Sequence, residues 1–129
     1  MLKPSLEEVK ALAKQYNTIP VFYEFSADNQ TPLNIYTAFS GKSRNSFIFE
    51  SVSNGVQWDR YSFIGFAPKQ EIRISGKQAE IRTEKGTQTL AVEQPIAFLK
   101  EQMAAFHAPV IPGAPNFTGG LIGYFGYDT

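Results

Sequence analysis

The chain has 129 residues, 43% of them hydrophobic and 19% charged, enough for one domain with a real core. Lys+Arg and Asp+Glu balance at 12 each, so no net positive field draws a phosphate backbone or an anionic membrane, which argues against nucleic acid and membrane as partners. With no cysteine and one histidine, His107, disulfides, thiolate nucleophiles and Cys-ligated metals are excluded, and a multi-His metal site cannot form.

The N-terminus, "MLKPSLEEVK", turns acidic too early for a secretory signal. No apolar run approaches the ~20 residues that span a bilayer. The expected location is the cytoplasm. "PSLEEVKALAKQY" predicts a first helix, capped by Ser5 with Glu8 completing a capping box. Leu6, Val9, Ala13 and Tyr16 fall on one face of it. A strand is expected from about Ile19 to Phe25, with Pro20 placing it at an edge or marking its start. Thr31 then caps a second helix with Pro32 at its first position, and Leu33, Tyr36 and Phe39 face inward. After the polar turn "GKSRN", the stretch "FIFESVSNGVQWDRYSFIG" reads as two strands joined by a loop.

The β pattern is clearest in "EIRISGKQAEIRTEKGTQTL". A two-residue type II′ turn at Gly76-Lys77 sets Ile74 against Ala79, Arg73 against Glu80, Ile72 against Ile81 and Glu71 against Arg82. Apolar residues then meet apolar ones and each charge meets its opposite; a slip of one residue destroys both matches. A second turn with Gly86 at a left-handed position leads to a third strand through Leu90. "EQPIAFLKEQMAAFH" predicts a third helix with Pro95 near its first position and Ile96, Leu99, Met103 and Phe106 as its buried stripe. The fold class is therefore α+β, mostly antiparallel sheet with about three helices.

Beyond the Pro-rich "APVIPGAPN", Phe117 to Tyr127 reads as a strand interior, and the sequence stops two residues later. The expectation is an N-terminal piece of a longer protein. Gly119, Gly120, Gly123 and Gly126 do not fit a phosphate-cradling motif and are better read as strand positions approached closely by a ring or backbone. His107, at a helix end, suits the helix dipole, and no nucleophile or carboxylate is identified to pair with it. Asp28 reads as turn and capping chemistry.

Glu50 and Ser51 leave two readings open. The strand Phe47-Ile48-Phe49 simply reaches solvent there, or the carboxylate and hydroxyl sit at the wall of an aromatic pocket. A pocket of that kind suits a zwitterionic, partly apolar ligand such as an amino acid. Glu50 is then an acceptor for an ammonium group, and Arg60 meets a carboxylate or forms a surface ion pair.

Three blocks, "ADNQTPLNIY", "FIFESVSNGVQWDRYSFIG" and "FTGGLIGYFGYD", resemble in order and spacing the N-terminal region of anthranilate synthase component I. The central block is similar to that family's "LLES…RYSFIG" signature, with Ile48 and Phe49 in place of two leucines. The terminal block is shared more widely among chorismate-utilising enzymes.

The resemblance implies that residues 1–129 form the regulatory N-terminal region of that enzyme, an incomplete part of a layered fold, with the chorismate-binding domain absent. It also implies an L-tryptophan feedback site lined by Glu50 and Ser51, with Arg60, Tyr61 and Ser62 as weaker candidates. The reaction implied is conversion of chorismate to anthranilate and pyruvate, with Mg²⁺ and with ammonia from a glutamine amidotransferase subunit, component II. No catalytic residue and no metal ligand is assigned to this chain, which is expected to be inactive alone and to self-associate. The rival readings are the corresponding part of aminodeoxychorismate synthase component I, in folate synthesis, and a stand-alone amino-acid-binding module.

Overall fold

The computed structural model describes residues 2–50 and 61–127. Among them are three helices and three small antiparallel sheets, an α+β arrangement. The chain divides into two compact units, one built from Met1–Phe25 with Glu93–Thr129 and the other from Ser26–Val92.

In the first unit, Leu2–Lys3 (β1) pairs antiparallel with Phe22–Tyr23 (β2). The predicted strand from Ile19 shrinks to those two residues, and it starts after Pro20 as expected. Helix α1, Leu6–Leu12, follows the predicted cap: the Glu8 backbone N–H donates to Ser5 Oγ at 3.3 Å, and the Ser5 N–H donates to Glu8 Oε2 at 2.7 Å. The Ser5 backbone N–H first, and the Ser5 side chain second, hold the Glu8 carboxyl below its ordinary range by hydrogen-bonding its charged form. The helix stops at Leu12, and its turns wind down through Tyr16.

Helix α3, Pro95–Ala104, begins at the predicted proline, with Gln94 in the cap position making no side-chain cap bond. Its expected buried stripe is corrected: Leu99 is half-buried, but Ile96, Met103 and Phe106 are exposed. The half-buried positions are instead Pro95, Phe98, Leu99 and Gln102. Helical period fixes which residues share a face, and a covering layer decides which face is buried.

Asn17 ties the beginning of this unit to its end. Its side-chain Nδ2 donates to the Ala105 carbonyl at 2.8 Å, and its Oδ1 accepts from the His107 N–H at 2.7 Å. The His107 carbonyl accepts in turn from the N–H groups of Asn17 and Thr18, both at 3.1 Å. From Phe117 to Gly126 the chain belongs to no helix or strand, which corrects the strand expected there. A strand exists only through a neighbour's ladder of hydrogen bonds, and no described strand of this unit supplies one.

The second unit begins with helix α2, Pro32–Ser40, capped as predicted by Thr31, whose Oγ1 accepts from the Asn34 N–H at 3.1 Å. Ser46–Glu50 (β3) and Ser62–Phe66 (β4) form an antiparallel pair. Gln70–Ser75 (β5), Gln78–Thr83 (β6) and Gly86–Ala91 (β7) form a meander in the order β5-β6-β7. All four predicted pairs across the β5–β6 turn are present. Gly76 takes φ +56° while Lys77 stays out of the left-handed region, as a type II′ turn requires. Arg82 lies between Glu80, at 3.1 Å, and Glu71, at 3.8 Å, on the polar face.

Among the described residues the buried hydrophobic side chains are Ala79, Val92 and Ile111, two in the second unit and one in the first. Ala79 sits at the centre of the meander between Ile74 and Leu90, and Val92 is fixed by its N–H donating to the Lys77 carbonyl at 2.8 Å.

Candidate functional site: the aromatic hairpin

Register decides which candidate residues share a face of the β3–β4 pair. The partners are Ser46–Phe66, Phe47–Gly65, Ile48–Ile64, Phe49–Phe63 and Glu50–Ser62. Because side chains alternate, Phe47 and Phe49 lie on one face with Phe63 and Gly65. Ser46, Ile48, Glu50, Ser62, Ile64 and Phe66 lie on the other.

Helix α2 covers the second face at its Ser46–Phe66 end. The Phe39 and Phe66 rings stack 4.7 Å apart and 3° from parallel, and Ser46 Oγ donates to the Tyr36 hydroxyl at 3.3 Å. Tyr36 is half-buried as predicted, whereas Phe39, though stacked on Phe66, stays 42% exposed and Leu33 is exposed, with Ile35 half-buried instead; both inward assignments are corrected. Glu50 and Ser62 sit opposite one another at the far end of this face, and both are exposed.

The first face is a row of rings. Phe47 and Phe49 lie 5.1 Å apart, and Tyr61 and Phe63 lie 6.2 Å apart. The Phe47 ring lies across Gly65, where an added Cβ would fall 2.0 Å from a ring carbon. Close approach of a ring to a glycine, predicted for the terminal glycines, thus occurs here. Gly119 and Gly123 have open space where a Cβ would go, and Gly120 meets only the Phe117 ring at 3.4 Å.

The candidates separate accordingly. Glu50 and Ser62 share one face, Tyr61 stands with the rings on the other, and Ser51 and Arg60 lie outside the described residues. The Glu50 carboxylate can accept from an ammonium group and the Ser62 hydroxyl opposite can donate or accept, while the ring row offers planar apolar surface. Of the residues weighed less, Asp28 lies in a turn closed by the Gln30 N–H on the Ala27 carbonyl at 2.9 Å, and His107 is engaged through its backbone. Sequence reading missed Asn17, whose amide pairs with residues 88 and 90 positions away; no local signal marks such a tie.

Among the described residues no group of three or more His, Asp or Glu side chains could hold a metal ion. The Mg²⁺ implied by the resemblance has no ligand set there, and no step is assigned to it. No helix of the described residues is long and apolar enough to cross a membrane.

Comparison with curated proteins gives 40% identity over 128 residues with anthranilate synthase component 1 of Acetivibrio thermocellus, covering 99% of this chain and 26% of the relative. The Pseudomonas aeruginosa protein of the same name is 40% identical over 123 residues, 95% of this chain and 25% of the relative. That of Neisseria meningitidis serogroup B is 37% identical over 126 residues, 97% of this chain and 26% of the relative.

The chain resembles anthranilate synthase component 1 over nearly all of its length.

It spans about a quarter of the length of these relatives. The similarity to anthranilate synthase component 1 is not confined to the aromatic hairpin, because matches covering 95% to 99% of the chain run through both units. No family model matches the chain, and no solved structure matches it.

Proposed function

We propose that the chain is the N-terminal, tryptophan-sensing region of an anthranilate synthase component I, a cytoplasmic lyase of tryptophan biosynthesis. The parent enzyme converts chorismate, with ammonia drawn from glutamine by component II, to anthranilate and pyruvate in the presence of Mg²⁺. The observation that carries this reading is the 37–40% identity over 123–128 residues to proteins of that name.

For the regulatory role, the support is an exposed carboxylate at Glu50 facing the Ser62 hydroxyl, on a hairpin whose opposite face is lined with rings. An amino acid carries an ammonium that the Glu50 carboxylate can accept from and a carboxylate to which the Ser62 hydroxyl can donate, with Ile48 and Ile64 as the apolar neighbours on that same face. Ser51, next to Glu50 in sequence, is the other principal contact in this reading, with Arg60, Tyr61 and Ser62 contributing less.

The test uses the complete gene product with chorismate, Mg²⁺ and ammonium, following anthranilate fluorescence with and without L-tryptophan. Anthranilate formation suppressed by tryptophan is expected. Aminodeoxychorismate as the product moves the protein to folate synthesis, and no turnover of chorismate leaves an amino-acid-binding module. Within the expected outcome, Glu50→Ala and Ser51→Phe test the site. Losing one charge-assisted hydrogen bond, about 1.5–3 kcal/mol, raises the half-inhibitory tryptophan concentration roughly tenfold to a hundredfold. Unchanged inhibition in both variants removes the site assignment and leaves the enzyme assignment intact.

A further inference from the structure

The face of the β3–β4 pair that carries Glu50 changes character along its length. From its exposed end it presents Glu50 and Ser62, then Ile48 and Ile64, then Ser46 and Phe66. Glu50 is the one charge among these six residues. At roughly 3.4 Å per residue, the isoleucine pair lies ~7 Å along the strand from Glu50 and the Phe66 pair ~14 Å. Both isoleucines are half-buried. Helix α2 closes the far end. Phe39 stacks on Phe66, yet the two rings stay 42% and 46% exposed. The hydroxyls of Tyr36 and Ser46 beside them engage one another at 3.3 Å. A ligand held by its ammonium at Glu50 therefore runs over an apolar floor toward an aromatic end wall, and meets no second charge on this face.

We infer that Phe39, with Phe66 beneath it, determines the specificity of the amino-acid site proposed above and selects an uncharged aromatic side chain. The inference rests on that site. Length is the first filter. A side chain that starts at Glu50 must cross the isoleucine pair before it touches the stack. Short aliphatic side chains end on the floor, whereas a ring laid over Ile48 and Ile64 brings its edge to Phe39 and Phe66. Aromatic rings gain from offset or edge-to-face contact beyond the area they bury. Charge is the second filter, because a charged tip at that end loses hydration and finds no partner. Phe39 also sets an upper limit, since a ring enlarged toward the stack must displace it.

The test uses the complete gene product, with anthranilate fluorescence giving half-inhibitory concentrations. The probes are L-tryptophan, L-leucine, and L-tryptophan methylated at ring position 5, 6 or 7. Each methylated compound is expressed as a ratio to tryptophan, so a uniform loss of affinity cancels. In Phe39→Ala the ratio is expected to fall roughly tenfold for the position that points at the stack, the discrimination one methyl group gives in an apolar pocket. Phe66→Leu is a second variant expected to move the same ratio in the same direction. Leu33→Ala, at an exposed position of the same helix, is expected to leave it unchanged. Unchanged ratios at all three ring positions in both Phe variants overturn the inference, as does an equal shift in Leu33→Ala. So does L-leucine inhibiting the unmutated protein as well as tryptophan does. In those outcomes tryptophan inhibition, and with it the amino-acid site, still stands. An unmutated protein that tryptophan does not inhibit overturns the site and this inference together.

Discussion

Three single residues carry constraints that their neighbours in sequence do not reveal. Gly65 is the sharpest, because a Cβ there would lie 2.0 Å from the Phe47 ring. Gly65→Ala must displace that ring, and overpacking of this kind costs about 1–3 kcal/mol. Urea unfolding of the variant is expected to show the loss, with Gly65→Ala/Phe47→Ala recovering part of it by removing the ring. Ala67, two residues on, takes φ +52° at the end of β4, held by its N–H donating to Ser43 Oγ at 2.8 Å while Ser43 donates to the Asn45 carbonyl at 2.6 Å. A non-glycine residue in that region costs roughly 1–2 kcal/mol, partly offset for glycine by its greater unfolded freedom. Ala67→Gly is therefore expected to stabilise the chain by about 0.5 kcal/mol in the same assay. Asn17→Ala removes both side-chain bonds to residues 105 and 107, and faster exchange of the His107 amide, the donor to Asn17 Oδ1, is its expected signature. None of the three was legible beforehand. Which ring crosses which glycine follows from cross-strand register, and the partners of Asn17 lie far along the chain. The glycines singled out from sequence were the clustered ones, and clustering says nothing about what approaches them.

At the scale of elements, local chemistry was legible wherever a partner lies within a few residues. The Ser5–Glu8 box, the Thr31 cap with Pro32 behind it and the Gly76-Lys77 turn each contain their own partners, and the structure has all three. The β5–β6 register could be read because only one alignment matches apolar with apolar and charge with opposite charge. Where burial needs a covering layer from elsewhere, as for Ile96, Met103, Phe106 and the Phe117–Tyr127 run, periodicity named a face that the described residues leave open. The candidate site shows the same division: the two strands were legible, but the split of Glu50 and Ser62 from Tyr61 appears only once the register is known. The capping box also gives α1 a pH dependence of definite sign. The folded Glu8 carboxyl titrates below its ordinary value near 4.5 because its charged form accepts from Ser5. Its contribution is thus fully present above that value and is lost as pH falls below it through the lowered folded value. Amides in the first turn of α1 are expected to exchange faster, relative to the intrinsic rate, as pH drops through that window. In Glu8→Gln this acid-dependent loosening should be absent.

For the molecule as a whole, the proposed regulation is a statement about two ligands on one longer protein. The chain accounts for about a quarter of the relatives' length. In the proposed reading chorismate chemistry then belongs to the remainder of the parent, and the 129-residue chain is expected to produce no anthranilate. Tryptophan at the Glu50 end of the hairpin acts only if it binds a state of the parent that holds chorismate poorly, since a ligand with equal affinity for both states shifts nothing. Linkage then requires reciprocity: chorismate must weaken tryptophan binding by the same factor by which tryptophan weakens chorismate binding. Equilibrium titration of the complete protein, each ligand measured at several fixed concentrations of the other, checks this without turnover if Mg²⁺ is withheld or ammonia is absent. For coupling of about 1–3 kcal/mol, both factors fall in the range of roughly 5 to 150 and agree with one another. If tryptophan lowers the rate while neither affinity moves, it acts on the chemical step instead, and the hairpin is not the element that trades one ligand for the other.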